Sequence, residues 1–174
     1  EQVVSMVQTL SDFFRASLNS GKDIVSLEGE CRHITSYLQI QQVRYQDILT
    51  YDVDIPEEIA NCKIPKITLQ PLVENALYHG IKNKRGKGRI VVTGRREKDK
   101  CVIRVEDNGI GMTKERLNQV RGGLTTKIED SNDFYGLYNV NERIRLKFGE
   151  EYGLSIDSVL REGTCVEVWL PWES

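Results

Sequence analysis

Hydrophobic positions along the chain follow two rhythms, one near 3.6 residues and one of two, and the switches between them outline the elements. Over residues 1–18, Val3, Val7, Leu10, Phe14 and Leu18 recur at helical spacing. Asn19-Ser20-Gly21 then stops the helix, with Gly21 suited to a left-handed cap. Ser26 is suited to cap a second helix, in which Glu28 and Glu30 come early and complement the dipole. Ile34, Tyr37, Leu38, Gln41 and Tyr45 continue one face of it to about Asp47. Two helices with a short connection predict an antiparallel hairpin that buries its stripe best against a partner chain.

Residues 49–55 alternate like a strand, ended by Pro56. Leu69, Leu72, Val73, Ala76 and Leu77 then repeat at i, i+3, i+4, i+7 and i+8, which predicts one amphipathic helix over 69–82, with Pro65 just ahead of it. Residues 89–96 and 101–106 read as strands around a charged turn, and 113–120 as a short helix. Residues 121–135 form the longest irregular stretch, of the kind that is usually mobile and functional. Leu137, Val140, Ile144 and Phe148 mark another helix closed by Gly149, and strands at 154–160 and 164–170 finish the chain. The order predicts an α+β fold: a sheet with its helices on one face, a two-layer sandwich preceded by the helical hairpin.

Composition narrows the class. The 174 residues fit one domain, or one domain with a helical appendage, and 39% hydrophobic against 29% charged residues can bury a real core. A net charge of -2 gives no argument for nucleic acid as the main partner. Cys31, Cys62, Cys101 and Cys165 are far apart with no CxxC pair, which reads as a reducing compartment, not a zinc site or disulfide frame. No apolar run approaches the ~18 residues of a membrane span, and no signal peptide is seen. The chain opens at Glu1 inside a helical pattern without an initiator methionine, which predicts a C-terminal portion of something longer.

Three stretches could carry chemistry. Asn75, His79 and Lys82 share a stripe beside the buried face of the 69–82 helix, where an amide, an imidazole and an ammonium can meet a metal and its polyphosphate, or only water. Asp107-Asn108-Gly109-Ile110-Gly111 follows a strand. Asn-Gly is a preferred hairpin turn; alternatively Asp107 is a buried carboxylate that accepts from an exocyclic amine, with Gly109 and Gly111 letting a flat ring approach. Gly136 and Leu137 open the last helix, whose first N–H groups suit phosphate. The basic run Lys82, Lys84, Arg85, Lys87, Arg89 is a solvated loop or an attractor of phosphates.

In this order and spacing the three stretches resemble the N, G1 and G2 boxes of the GHKL (Bergerat-fold) ATP-binding domain. More closely, LSDFFRASL, YLQIQQVRY, PKITLQPLVENALYHGI, VEDNGIGM, GLYNVNERIRLKFGEEYGLSI and EGTCVEVWLP resemble the YesM/LytS-type sensor histidine kinases of bacterial two-component systems, over nearly the whole chain. The resemblance implies ATP and Mg²⁺ as ligands. Asn75 would bind the metal, which keeps much of its water, and Asp107 would read the adenine amino group, with Gly109, Gly111 and Met112 around the ring. Residues 113–135 would be the ATP lid, anchored on its phosphate side by Gly136 and Leu137, with His79 and Lys82 or Lys84 toward the phosphates. Arg143 would be a phosphate or lid contact, or a surface salt bridge. It further implies a homodimer through the N-terminal helices, a response-regulator partner, and a cytoplasmic position in a protein anchored in the bacterial inner membrane. Residues 1–47 would end the dimerisation region and 48–174 would be the catalytic domain.

The chain departs from the family pattern in four places. Pro71 stands where GHKL hydrolases carry a catalytic glutamate, leaving Glu74 as the candidate base. Tyr78 stands where many kinases have lysine, and Asn132 and Phe134 replace lid glycines. A PHFLYN-like phosphoacceptor motif is absent; the only histidines are His33 and His79. The substrate histidine would therefore lie in an upstream segment of the same protein. The rival readings are a GHKL ATPase, an anti-sigma-factor serine kinase and a non-enzymatic nucleotide-sensing or dimerisation module.

Overall fold

The computed structural model describes residues 2–17, 23–46, 48–126 and 135–172. Helix α1 spans Gln2–Ser17 and α2 spans Leu27–Arg44, with the short strand β1, Ile24–Ser26, between them. Ser26 caps α2 as its position predicts: its backbone is extended and its Oγ accepts from the Gly29 N–H at 3.2 Å. The helix ends at Arg44, earlier than the pattern suggests, and Asp47 lies outside the described residues, as do Leu18 to Gly21.

Five strands form the sheet: β2 Leu49–Asp54, β4 Gly88–Glu97, β5 Lys100–Asp107, β6 Gly153–Val159 and β7 Gly163–Pro171, in the order β2-β4-β5-β7-β6. Only β2 and β4 run parallel. A two-stranded ribbon, β1 with β3 (Lys63–Pro65), was not foreseen; three residues are too few to display a period of two.

The helices α3 (Leu69–Asn75, continuing as a π-helix over Ala76–Ile81), α5 (Tyr135–Phe148) and α2 cover one face of the sheet, and α4 (Lys114–Gly123) flanks β6. On that face Ile90, Val92, Ile103, Val105, Val168 and Leu170 are buried, while the other face carries Arg95 paired with Glu167 at 2.9 Å and Arg104 with Glu106 at 2.9 Å. This is the predicted α+β sandwich.

The helical hairpin behaves differently from expectation. Leu27, Ile34 and Leu38 of α2 are fully buried in the same core as α3 and the sheet, so α2 spends its stripe inside this unit. A division near residue 47 therefore cuts through one packed core. Helix α1 instead leaves Val4, Val7 and Phe14 more than half exposed. Leu38→Ala is expected to lower unfolding free energy by about 2–5 kcal/mol in urea denaturation; a loss below about 1 kcal/mol would mean that α2 docks independently of the core.

A candidate nucleotide site between the helix of Asn75 and the end of strand β5

The period-two phase of β5 runs Cys101, Ile103, Val105, Asp107, and so delivers a carboxylate onto the buried face of the sheet. Asp107 is 5% exposed. Its register partner on β7 is Thr164, which continues the apolar phase Leu170, Val168, Val166 in the same way. Thr164 was not singled out from the sequence, although that phase break was there to be read. The carboxylate accepts from the Gly109 N–H at 2.7 Å and from the Thr164 N–H.

Above it lies a cavity of about 320 Å³, walled by Asn75 and His79 from the helix, by Gly111, Met112 and Arg116 from the loop and α4, and by Val105 and Val166 from the sheet. Leu160, from the β6–β7 turn, and Ile110 are partly exposed at its lining. The lining is mainly apolar with a few convergent polar groups, the usual make-up of a small-molecule site.

Gly80 makes the close approach of helix to strand possible. A Cβ there would stand 2.5 Å from Asp107 Oδ1, and a Cβ on Gly109 would collide with the Gly80 backbone. Gly111 has φ 62°, and a side chain there would strike the Val159 carbonyl. These glycines make room for neighbouring backbone and for the carboxylate, where the sequence suggested room for a ring. The loop is held further by Met112 N–H to Ser158 Oγ at 2.9 Å and Ile110 N–H to Gly80 O at 3.2 Å.

The helix of Asn75 is not one α-helix to residue 82. From Ala76 it widens into π turns, with the Lys82 N–H bonded to Leu77 O at 2.8 Å, so spacing by four no longer keeps residues on one stripe. Asn75 and His79 line the cavity. Lys82 turns aside, its ammonium 5.7 Å from the centre of the Tyr78 ring, and Lys84 donates to Asn108 O at 2.6 Å. Arg116, missed in the sequence because it sits in the predicted lid, is a cation that lines the cavity.

Other candidates lie elsewhere. Glu74 does not line the cavity: Gln70, one turn earlier on α3, donates its Nε2 to Glu74 Oε1 at 2.9 Å, and Gln70 Oε1 is 2.7 Å from Nε2 of His33 on α2. Gly136 lies beside Pro71, and Leu137 is buried in the core; neither lines the cavity. Arg143 donates to the carbonyls of Lys66 and Ile67 at 3.0 and 2.9 Å and does not line the cavity. Asn132 and Phe134 lie outside the described residues.

The chain belongs to the histidine kinase-, DNA gyrase B- and HSP90-like ATPase family, whose sequence model matches residues 65–174. Residues 1–49 match the histidine kinase family, which puts the chain among the histidine kinases of that larger group. It is 36% identical to the sensor histidine kinase YesM of Bacillus subtilis (strain 168), covering 98% of this chain and 28% of YesM. With the sensor histidine kinase BtsS of Escherichia coli (strain K12) it shares 34% identity, over 99% of this chain and 28% of BtsS. The chain thus spans little more than a quarter of these relatives' length. A nucleotide-free catalytic domain of histidine kinase ThkA superposes with a TM-score of 0.62 at 11% identity, covering 85% of this chain and 94% of that one, and shares the fold.

Burial is the largest influence on Asp107 and raises its pKa from 3.8 to about 6, against the two backbone N–H bonds that lower it. A carboxyl that holds its proton more tightly when folded weakens folding as pH rises from about 4 to about 6, and the cost is complete above that. It amounts to about 3 kcal/mol. Asp107→Asn is therefore expected to unfold at higher urea than the parent at about pH 7.5, with the gap closing toward about pH 4.5; a gap independent of pH would contradict a strained carboxylate.

Proposed function

We propose that this chain is the ATP-binding catalytic portion of a two-component sensor histidine kinase, and that the cavity above Asp107 holds the nucleotide with Mg²⁺. The observation that carries this is a desolvated carboxylate lining a mainly apolar cavity. It retains acceptor capacity, and an adenine exocyclic amine would supply the donor that burial removed. Val105, Val166, Gly111 and Met112 would flank the base, with the Thr164 N–H orienting the carboxylate.

The donor set also suits magnesium. Among the described residues there is no group of three or more His, Cys, Asp or Glu able to hold a metal, whereas Asn75 offers one neutral oxygen in the cavity wall, and Mg²⁺ commonly takes few protein ligands beside water and phosphate. Bound there, the ion would neutralise charge on the transferred phosphoryl group. His79 and Arg116 would face the polyphosphate as donors. Glu74, turned to Gln70, stands away from any water in the cavity, and Pro71 offers no base; both favour transfer to protein over hydrolysis. Catalysis would then be positioning and charge stabilisation.

The acceptor would be a histidine outside these 174 residues, and the phosphoryl group would pass on to a response-regulator aspartate. The exposed Val4, Val7 and Phe14 of α1 support a homodimer through the N-terminal helices, with α2 belonging to the ATP-binding unit. No helix among the described residues is long and apolar enough to cross a membrane. The catalytic unit would sit at the cytoplasmic face of a protein anchored in the inner membrane.

Calorimetric titration with a non-hydrolysable ATP analogue, with and without Mg²⁺, tests the reading; a folded chain that binds no nucleotide would refute it. Asp107→Ala is expected to abolish binding while the circular dichroism spectrum is kept, and unchanged affinity would remove Asp107 from the adenine site. Asn75→Ala is expected to erase the difference between the titrations with and without metal. A persisting difference would move the metal elsewhere.

A further inference from the structure

Two side chains from distant elements converge on residues 66–69, just ahead of the helix that carries Asn75 and His79, and neither lines the nucleotide cavity. Ile67 has φ 57°, in the left-handed region that a β-branched residue rarely adopts and that persists only when its surroundings impose it. Its N–H donates to Glu30 Oε1 at 2.7 Å, and the N–H groups of Thr68 and Leu69 donate to Glu30 Oε2 at 3.0 and 3.1 Å. On the other side the guanidinium of Arg143 takes the carbonyls of Lys66 and Ile67.

A helix normally takes its cap from the residue at its own start. Here that residue is Thr68, whose hydroxyl is committed to Pro65 O at 2.6 Å and makes no bond to a helix N–H. The cap of α3 comes instead from Glu30 on α2, 37 to 39 residues away, and Glu30 is 3% exposed. Gln70, bonded to His33 of α2, adds a second grip at the same end. The far end of this element is wedged by Gly80 against Asp107. Asn75 lies between, about 9 Å from Leu69 along a short rigid helix.

We propose that Glu30 and Arg143 are positioning residues for the nucleotide site, holding the left-handed joint at Ile67 and thereby fixing where Asn75 presents its amide. The inference rests on the cavity being the Mg²⁺–ATP site. Loosening the joint frees the start of the helix while Gly80 and Asp107 stay in contact, so the metal end of the site loses its geometry and the adenine end keeps it.

The experiment titrates the chain, Glu30→Gln, Arg143→Gln and Arg143→Lys with the non-hydrolysable ATP analogue, with and without Mg²⁺. Glu30→Gln and Arg143→Gln are expected to lose about tenfold in affinity when Mg²⁺ is present and less than about twofold when it is absent, with Arg143→Lys restoring most of the loss. Arg143 is exposed, so its variants decide the matter if Glu30→Gln does not fold. Equal losses with and without metal, or no loss in either, overturn the inference. A parent chain that binds no nucleotide at all overturns the reading of the cavity, and the inference with it.

Discussion

The contact of Gly80 with the Asp107 carboxylate is the constraint on which the rest of the site depends. A strand can carry an acid onto the buried face of a sheet only if something else gives way, and here the facing helix gives up a side chain. Two backbone N–H groups then hold the carboxylate, and burial still leaves it with a raised pKa. The loop that follows wraps tightly over the same point because Gly109 and Gly111 let backbone touch backbone. A cavity results with a buried acid below, an amide and an imidazole on one wall, and a guanidinium on another.

Most of the fold was legible because its elements are long and its sheet has one apolar face. The periods of α1, α2, α5 and the five main strands stand in the sequence, and the Ser26 cap is where a short polar residue precedes a helical pattern. The β1–β3 ribbon escaped because three residues carry no period. The destination of the α2 stripe escaped as well. An amphipathic pattern states that a face is buried and does not name the surface that buries it, so a partner chain and the domain's own sheet look alike.

The candidate site was legible in part for a related reason. Asn75, His79, Asp107, Gly111 and Met112 meet in one cavity because each lies beside a buried face whose phase the sequence displays. Lys82 does not join them, since the π turns after Asn75 rotate it away, and helical spacing presupposes 3.6 residues per turn. Glu74 is adjacent to Asn75 and so leaves the helix on a different side, where it is bonded to Gln70 of the same helix and does not line the cavity. Thr164 and Arg116 were missed for different reasons: one hides in a regular strand, and the other lies on a short helix assigned to the lid.

The joint at Ile67 also bears on the order of assembly. Its left-handed backbone is unfavourable by itself and is held by Glu30, which precedes it in the chain, and by Arg143, which follows it by 76 residues. During synthesis the helix of Asn75 emerges long before α5 does. Residues 66–69 are then without the second of their two restraints until α5 has left the ribosome. The part of the protein that looks most like a finished motif in the sequence is therefore among the last to reach its final shape.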